Sequence, residues 1–174
     1  LLQTPRSYAY LRPSHGCDQE CGFCIIPQIR GKQISKPVEA VVEEVEALVA
    51  QGVREVVMVA EDSTGYGRDF GKDEARLPDL VSAMASVEGL KWLRVMYAYP
   101  NKFPWALTEV MNAHSNVVPY LDIPTQHVAT AVLKNMRRGG SSESVRRIMQ
   151  RLRDEVPDIA LRTTVLVGHP GEGE

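Results

Sequence analysis

Cysteines, aromatic residues and an excess of charge of either sign are all scarce in this sequence. Three of the 174 residues are cysteine, 6% are aromatic, and 20 basic residues oppose 22 acidic ones. The formal net charge of −2 gives no reason to expect a nucleic-acid partner from bulk basicity. No apolar run approaches the roughly 20 residues that span a bilayer, so we expect no membrane partner. A hydrophobic content of 44% is typical of one globular domain at this length.

All of the cysteines lie in one short stretch of the chain. Cys17, Cys21 and Cys24 form an odd, clustered set, which is not the pattern of a secreted disulfide framework. The opening residues, LLQTPRSYAY, lack the basic end and the apolar core of a signal peptide. The sequence therefore predicts a protein of the reducing cytoplasm.

Apolar runs alternate with amphipathic segments along the chain. The patterns predict strands at 7–12, 54–60, 91–99, 117–123 and 161–168. They predict helices at 35–52, 77–87, 104–114, 130–136 and 143–156. Because helical crossovers join parallel strands, this order predicts an α/β fold with a parallel sheet.

Each predicted strand ends in a polar stretch. The first leads into the cysteines, and the others lead into AEDSTGYG, YAYP, DIPTQH and VGHPGE. Parallel α/β folds concentrate their binding residues in the loops after the strands. We therefore expect five loops to meet at one cleft that contains the cysteines.

The C-x₃-C-x₂-C spacing predicts a loop that wraps around a metal or a cluster. A zinc site closed by His15 or by a more distant histidine is one interpretation. A 4Fe–4S cluster is favoured, because thiolates suit iron–sulfur and a second cysteine pair of the kind common in zinc sites is missing from the sequence. Three cysteines would leave the fourth iron open to a substrate or cofactor.

The motif and its place after the first strand resemble the radical S-adenosylmethionine (radical SAM) superfamily. Within it, SYAYLRPSHGCDQECGFCIIPQIRG, AEDSTGYG, YLDIPTQH and RTTVLVGHPGE are similar to the methylthiotransferases, above all to the RimO branch. The resemblance implies a parallel-stranded partial (β/α)6 TIM-like barrel, here truncated after the fifth strand. It also implies that residues 1–174 are the radical SAM core domain. The family's N-terminal cluster domain and C-terminal TRAM domain have no counterpart in this sequence.

The resemblance further implies the chemistry. Cys17, Cys21 and Cys24 would hold a 4Fe–4S cluster whose open iron binds S-adenosylmethionine, and reductive cleavage would give a 5′-deoxyadenosyl radical. RimO enzymes methylthiolate the β-carbon of an aspartate in the twelfth small-subunit ribosomal protein. A second cluster, expected only in the full-length protein, supplies the sulfur. The implied partners are that protein or the ribosome, and a flavodoxin or ferredoxin as electron donor.

Contacts with S-adenosylmethionine are carried over from the family to Phe23, Glu61, Ser63, Gln126, Arg162, Val165 and Val167. Phe23 and the two valines would lie near the adenine, Glu61 and Ser63 near the ammonium group, and Gln126 near the ribose. Arg162 is expected to be a buried cation paired with the cofactor carboxylate or with an internal acid. The other residues also have ordinary structural interpretations, as loop packing, solvated acid or core.

A basic segment runs from Lys134 to Arg153. It contains seven basic residues and one acid, Glu143; the basic residues are Lys134, Arg137, Arg138, Arg146, Arg147, Arg151 and Arg153. A solvated helix face and a contact with the RNA-rich ribosome are both compatible with this pattern. His127 and His169 lie in predicted loops, as proton carriers or as bystanders.

Two other functions stay open from the sequence. A transfer-RNA methylthiotransferase of the MiaB branch would share this core, although MiaB proteins usually have other residues in place of EDSTGYG and PTQH. A non-enzymatic zinc or iron–sulfur carrier would use the cysteines alone. Such a carrier has no need for five convergent polar loops.

Overall fold

The structure, a computed structural model, describes residues 4–72 and 74–173. Its strands are β1 Tyr8–Leu11, β2 Ser14–His15, β3 Ile34–Ser35, β4 Glu55–Met58, β5 Trp92–Val95, β6 Val117–Asp122 and β7 Ala160–Arg162. Its α-helices are α1 Ile26–Arg30, α2 Val38–Ala50, α3 Leu77–Ala85, α4 Ala106–Ala113, α5 Thr130–Asn135 and α6 Ser142–Glu155. Within the described ranges, every helix is too short or too polar to cross a membrane.

Five of the strands form one parallel sheet in the order β1-β4-β5-β6-β7. Spatial order follows chain order, as it does when each helical crossover carries the chain to the next position in the sheet. The predicted α/β fold with parallel strands is confirmed, and the arrangement fits a partial β/α barrel. Such a sheet brings the carboxyl ends of its strands to one edge, where the predicted polar loops begin.

The sheet and the helices bury a continuous apolar core. Val56 and Met58 of β4, Leu93 of β5 and Leu121 of β6 are fully buried, as the near-continuous apolar runs of these strands predict. Helix α2 adds Val41 and Val45 from its apolar face. Burial of each such side chain contributes about 1.5–3 kcal/mol before entropy is counted. This core supports the loops above it.

The last strand is shorter than predicted. β7 ends at Arg162, and beyond it only an isolated parallel bridge joins Val165 to Gln126. The hydroxyl of Thr163 donates to the carbonyl of Ile123 at 3.0 Å and accepts from the amide of Thr125 at 3.0 Å. These side-chain hydrogen bonds occupy backbone groups of the segment after β6. The backbone hydrogen-bond ladder between the two strands is therefore interrupted there.

Three short elements around the cysteines are absent from the sequence-based prediction. β2 and β3 pair antiparallel, with Ser14 opposite Ser35 and His15 opposite Ile34. Helix α1 lies between them, directly after the cysteines. Strands of two residues and a helix of five are too short to show a hydrophobic period, so pattern analysis has no signal to detect.

Candidate functional site

The cysteine loop is closed at its base by the β2–β3 pairing. The amide of Cys17 donates to the carbonyl of Gly31 at 3.2 Å, which ties the loop's entry to its exit. Gly16 has a φ of 77°, and a Cβ built on it would lie 2.1 Å from the carbonyl oxygen of Lys32. Glycine is therefore required at Gly16 by both its dihedral and its surroundings.

All three thiols line one cavity of about 410 Å³ at the carboxyl edge of the sheet. Cys17 and Cys21 are buried, Cys24 is half-buried, and all three are free of disulfides. The ends of the five sheet strands all contribute to the lining, through Cys17, Glu61, Tyr97, Gln126 and Thr164 among others. The fifth strand contributes Thr164 rather than the VGHPGE stretch named from the sequence.

Burial dominates the electrostatics of Cys17. It raises the pKa of the thiol to about 11, with smaller contributions from the Asp62 carboxylate and the other two thiols. In the free protein Cys17 is therefore protonated at neutral pH, and a positively charged ligand has to displace that proton. In the described part of the chain, no group of three or more His, Cys, Asp or Glu side chains is arranged to hold a metal ion.

Three of the residues predicted to bind the cofactor do line this cavity: Phe23, Glu61 and Gln126. The Glu61 side chain is 13% exposed, and its Oε1 lies 3.9 Å from Nε of Arg30. Its Oε2 is buried and has no hydrogen-bond partner. Gln126 has a φ of 67°, a conformation that non-glycine residues rarely adopt outside functional sites. The site thus contains a buried acceptor without a hydrogen-bond partner and a residue in an uncommon backbone conformation.

The other four predicted contacts do not line this cavity. Ser63 is fully buried away from the cavity, and its hydroxyl donates to the carbonyl of Met96 at 2.6 Å. Arg162 was expected to be buried, but its side chain is 56% exposed and pairs with the buried Asp122 at 3.0 Å. The internal acid is therefore its partner. Val165 and Val167 are 57% and 77% exposed and do not line the cavity.

The histidines are also not at the thiols. His15 is exposed on β2 and does not line the cavity. His127 contacts the carboxylate of Glu172 at 3.1 Å, and this hydrogen bond is the main reason why the pKa of Glu172 is lowered. His169 lies against the carbonyl of Pro170. None of these three histidines contacts a cysteine in the described structure.

Sequence analysis missed further residues of the cavity. Asp62 is buried, accepts from the Gln19 amide at 2.9 Å and from the Thr64 hydroxyl at 2.6 Å, and lies beside Cys17. Arg138, assigned to a solvated basic face, is buried and lies against Cys21 instead. The other six members of the basic segment are exposed, as expected. Asp62 directly follows Glu61 after a buried strand, so its position in the sequence could have indicated a place in the cavity. Nothing in the sequence around Arg138 indicates that it is buried.

The family model described as the Radical SAM superfamily matches residues 11–174. The chain belongs to the radical SAM superfamily. Membership implies a 4Fe–4S cluster and S-adenosylmethionine. The residues present fit these two groups, because three thiols and the unpartnered Oε2 of Glu61 belong to residues that line the same cavity.

Among curated proteins, the chain is similar to ribosomal protein uS12 methylthiotransferases named RimO. It is 43% identical to that of Flavobacterium psychrophilum over 100% of this chain, and 46% identical to that of Phocaeicola vulgatus over 99%. The match to the Sorangium cellulosum protein is 46% over 98%. These matches cover 40%, 40% and 36% of the relatives, so the chain spans about two fifths of their length.

Solved structures support the fold. The radical SAM methyltransferase TsrM from Kitasatospora setae superposes with a TM-score of 0.73 at 20% identity, over 95% of this chain and 31% of that one. Another TsrM structure, described with cobalamin and a [4Fe–4S] cluster bound, has a TM-score of 0.72 at 20% identity, over 94% of this chain and 31% of that one. The cobalamin-dependent enzyme OxsB gives 0.69 at 15% identity, over 91% and 23%.

The closed base of the cysteine loop yields a first prediction. Gly16→Ala forces a Cβ to within 2.1 Å of a backbone oxygen, whereas Gly31 has the same φ of 77° and open space around its Cβ. Gly31→Ala should cost about 1–3 kcal/mol of strain, and Gly16→Ala at least about 1 kcal/mol more. Urea unfolding of the full-length variants measures both values. Equal stabilities would show that the loop base tolerates displacement.

Proposed function

We propose that this chain is the radical core of a RimO-type enzyme that methylthiolates an aspartate of ribosomal protein uS12. The observation that carries the proposal is the 43–46% identity to uS12 methylthiotransferases along the whole chain. The transfer-RNA and carrier alternatives are not favoured by these relatives. The second cluster, the additional domains, a flavodoxin or ferredoxin donor and a cytoplasmic location belong to the same proposal for the full-length protein.

Cys17, Cys21 and Cys24 are proposed as the ligands of the cluster. They are free, lie on one closed loop and line one cavity, and soft sulfur donors suit iron. Glu61 is proposed to bind the ammonium group of S-adenosylmethionine through its unpartnered oxygen, because a carboxylate forms a charge-assisted hydrogen bond with a cation. Phe23 and Gln126 are proposed to contact the adenosine part. Contacts of S-adenosylmethionine with Ser63, Arg162, Val165 and Val167 stay predictions of the family resemblance, since none of the four lines the cavity.

When bound, the cluster and S-adenosylmethionine would supply one-electron cleavage of a carbon–sulfur bond, which gives a radical able to take hydrogen from an unactivated carbon. The chain's own residues would bind and orient these two groups and shield them from water. The buried positions of Cys17, Cys21 and Ala98 limit the access of water to the reacting region. The fixed turns at Tyr97 and Gln126, with φ of 58° and 67°, hold the strand ends in one arrangement.

Ligand assignment is tested with the full-length protein reconstituted anaerobically with iron and sulfide. Changing any one of Cys17, Cys21 or Cys24 to serine should abolish the electron paramagnetic resonance (EPR) signal that changes when S-adenosylmethionine is added. His15→Ala is the control, since this exposed side chain lies outside the cavity and should leave the signal intact. Loss of bound metal in His15→Ala with retention in a cysteine variant would instead support the zinc interpretation.

The role of Glu61 is tested by binding. Glu61→Gln removes the charge but keeps the size, and a hydrogen bond between charged groups is worth about 1.5–3 kcal/mol. The dissociation constant for S-adenosylmethionine should therefore rise at least about tenfold, measured by the EPR response of the reduced cluster. Glu20→Gln is the matched control, because Glu20 is an exposed acid of the same loop that does not line this cavity. Equal constants for both variants would remove Glu61 from the site.

Substrate identity is tested with the full-length enzyme, a chemical reductant and S-adenosylmethionine. Ribosomal protein uS12 and transfer RNA are incubated in parallel and then analysed by mass spectrometry. A methylthio group should replace hydrogen on an aspartate of uS12 and be absent from transfer RNA. The reverse distribution would assign the chain to the MiaB branch, and methylthiolation of neither substrate would reject both assignments.

A further inference from the structure

Arg138 is the one buried arginine within residues 4–72 and 74–173, with 7% of its surface exposed. It follows α5 in a tight turn, where Arg137, Gly139 and Gly140 all have positive φ. Its backbone is fixed on both sides: its amide donates to the carbonyl of Leu133 at 3.0 Å, and its own carbonyl accepts from the Tyr99 hydroxyl at 2.7 Å. The side chain is thus directed inward by a rigid turn.

The guanidinium group reaches the cysteine loop. Its Nη1 donates to Sγ of Cys21 at 3.4 Å, and its Nη2 donates to the carbonyl of Pro124, directly before the polar end of the fourth sheet strand. Its central carbon lies 4.3 Å from the ring centroid of Tyr99, within the range of a cation–π contact. The loop is also tied to this turn by the amide of Gly22, which donates to the carbonyl of Met136 at 2.8 Å.

A buried cation normally has an anionic partner, because desolvation of an unpaired charge is costly. Among the described ion pairs none includes Arg138, and its Nε is buried without a hydrogen-bond partner. Of the side chains it contacts, Cys21 is the one that becomes negative on binding a metal. The charge of Arg138 is therefore unbalanced in the free chain and balanced once Cys21 is a thiolate.

We propose that Arg138 is a positioning residue for the cluster, holding the Cys21 thiolate and making the cluster easier to reduce. Hydrogen bonds to the cluster sulfurs and nearby charge set the reduction potential of iron–sulfur sites, and outer partners orient the ligands. A positive donor at a ligand sulfur stabilises the reduced, more negative state. This inference rests on the proposed function, since it requires a cluster at Cys21.

The test is an EPR-monitored redox titration of the reconstituted full-length protein, following the cluster whose signal responds to S-adenosylmethionine. Arg138→Met should lower the equilibrium constant for reduction at least tenfold, which is 59 mV for a one-electron couple. Arg138→Lys keeps the charge but loses the paired N–H donors of the guanidinium group. It should shift the potential in the same direction, by less than Arg138→Met does. Arg137→Met is the matched control, because it removes an exposed charge from the adjacent position and should leave the potential unchanged.

Each outcome decides the inference. If Arg138→Met does not fold, Arg138→Gln carries the test, because it keeps polar donors but removes the charge, and a wild-type potential in that variant would overturn the inference. Potentials of both Arg138 variants equal to that of Arg137→Met would also overturn the inference. A wild-type protein whose clusters ignore S-adenosylmethionine would overturn the proposed function and this inference together, whereas a responsive wild type with unshifted variants overturns the inference alone.

Discussion

Backbone pairing between Ser14–His15 and Ile34–Ser35 closes the chain around all three cysteines, and the geometry of the site depends on this closure. Without it, the stretch after β1 would be a free loop, and ordering three thiols would carry a large entropic cost. The closed base of the loop has room only for glycine at position 16. The far side of the loop is bound to the turn after α5 by a backbone hydrogen bond. The cysteines are thus held between two parts of the fold before any ligand binds.

The parallel sheet supplies the other wall of the site. Its strands are apolar along their length and become polar where they end, since only the loops beyond the sheet can solvate charged groups. Glu61 and Asp62 lie three and four residues beyond the end of β4, and the Tyr97 turn follows β5. The buried hydroxyl of Ser63 anchors the strand ends to each other through the carbonyl of Met96. Ser63 thereby supports the strand ends that line the cavity without lining it itself.

Local patterns predicted the longer helices, the five strands of the parallel sheet and the cysteine loop, because hydrophobic period and residue spacing are properties of neighbouring positions. Phe23, Glu61 and Gln126 were expected at the site from the family resemblance, and all three line the cavity. Contacts between distant segments could not be predicted this way. The pairing of Arg162 with Asp122 and the burial of Arg138 against Cys21 join residues 40 and 117 positions apart. Nothing in the local sequence of a basic segment distinguishes its one buried member.

Acidic and basic side chains both surround the thiols. Glu61 and Asp62 place two carboxylates in a cavity where thiolates also have to form, and the Asp62 carboxylate already contributes to the raised pKa of Cys17. Adding an electron to such a site increases its negative charge further, which a low-dielectric surrounding opposes. The proposed role of Arg138 places a single buried cation at Cys21, where it would offset this added charge. In the proposed site, Glu61 would bind the cationic group of S-adenosylmethionine while Arg138 favours reduction beside it.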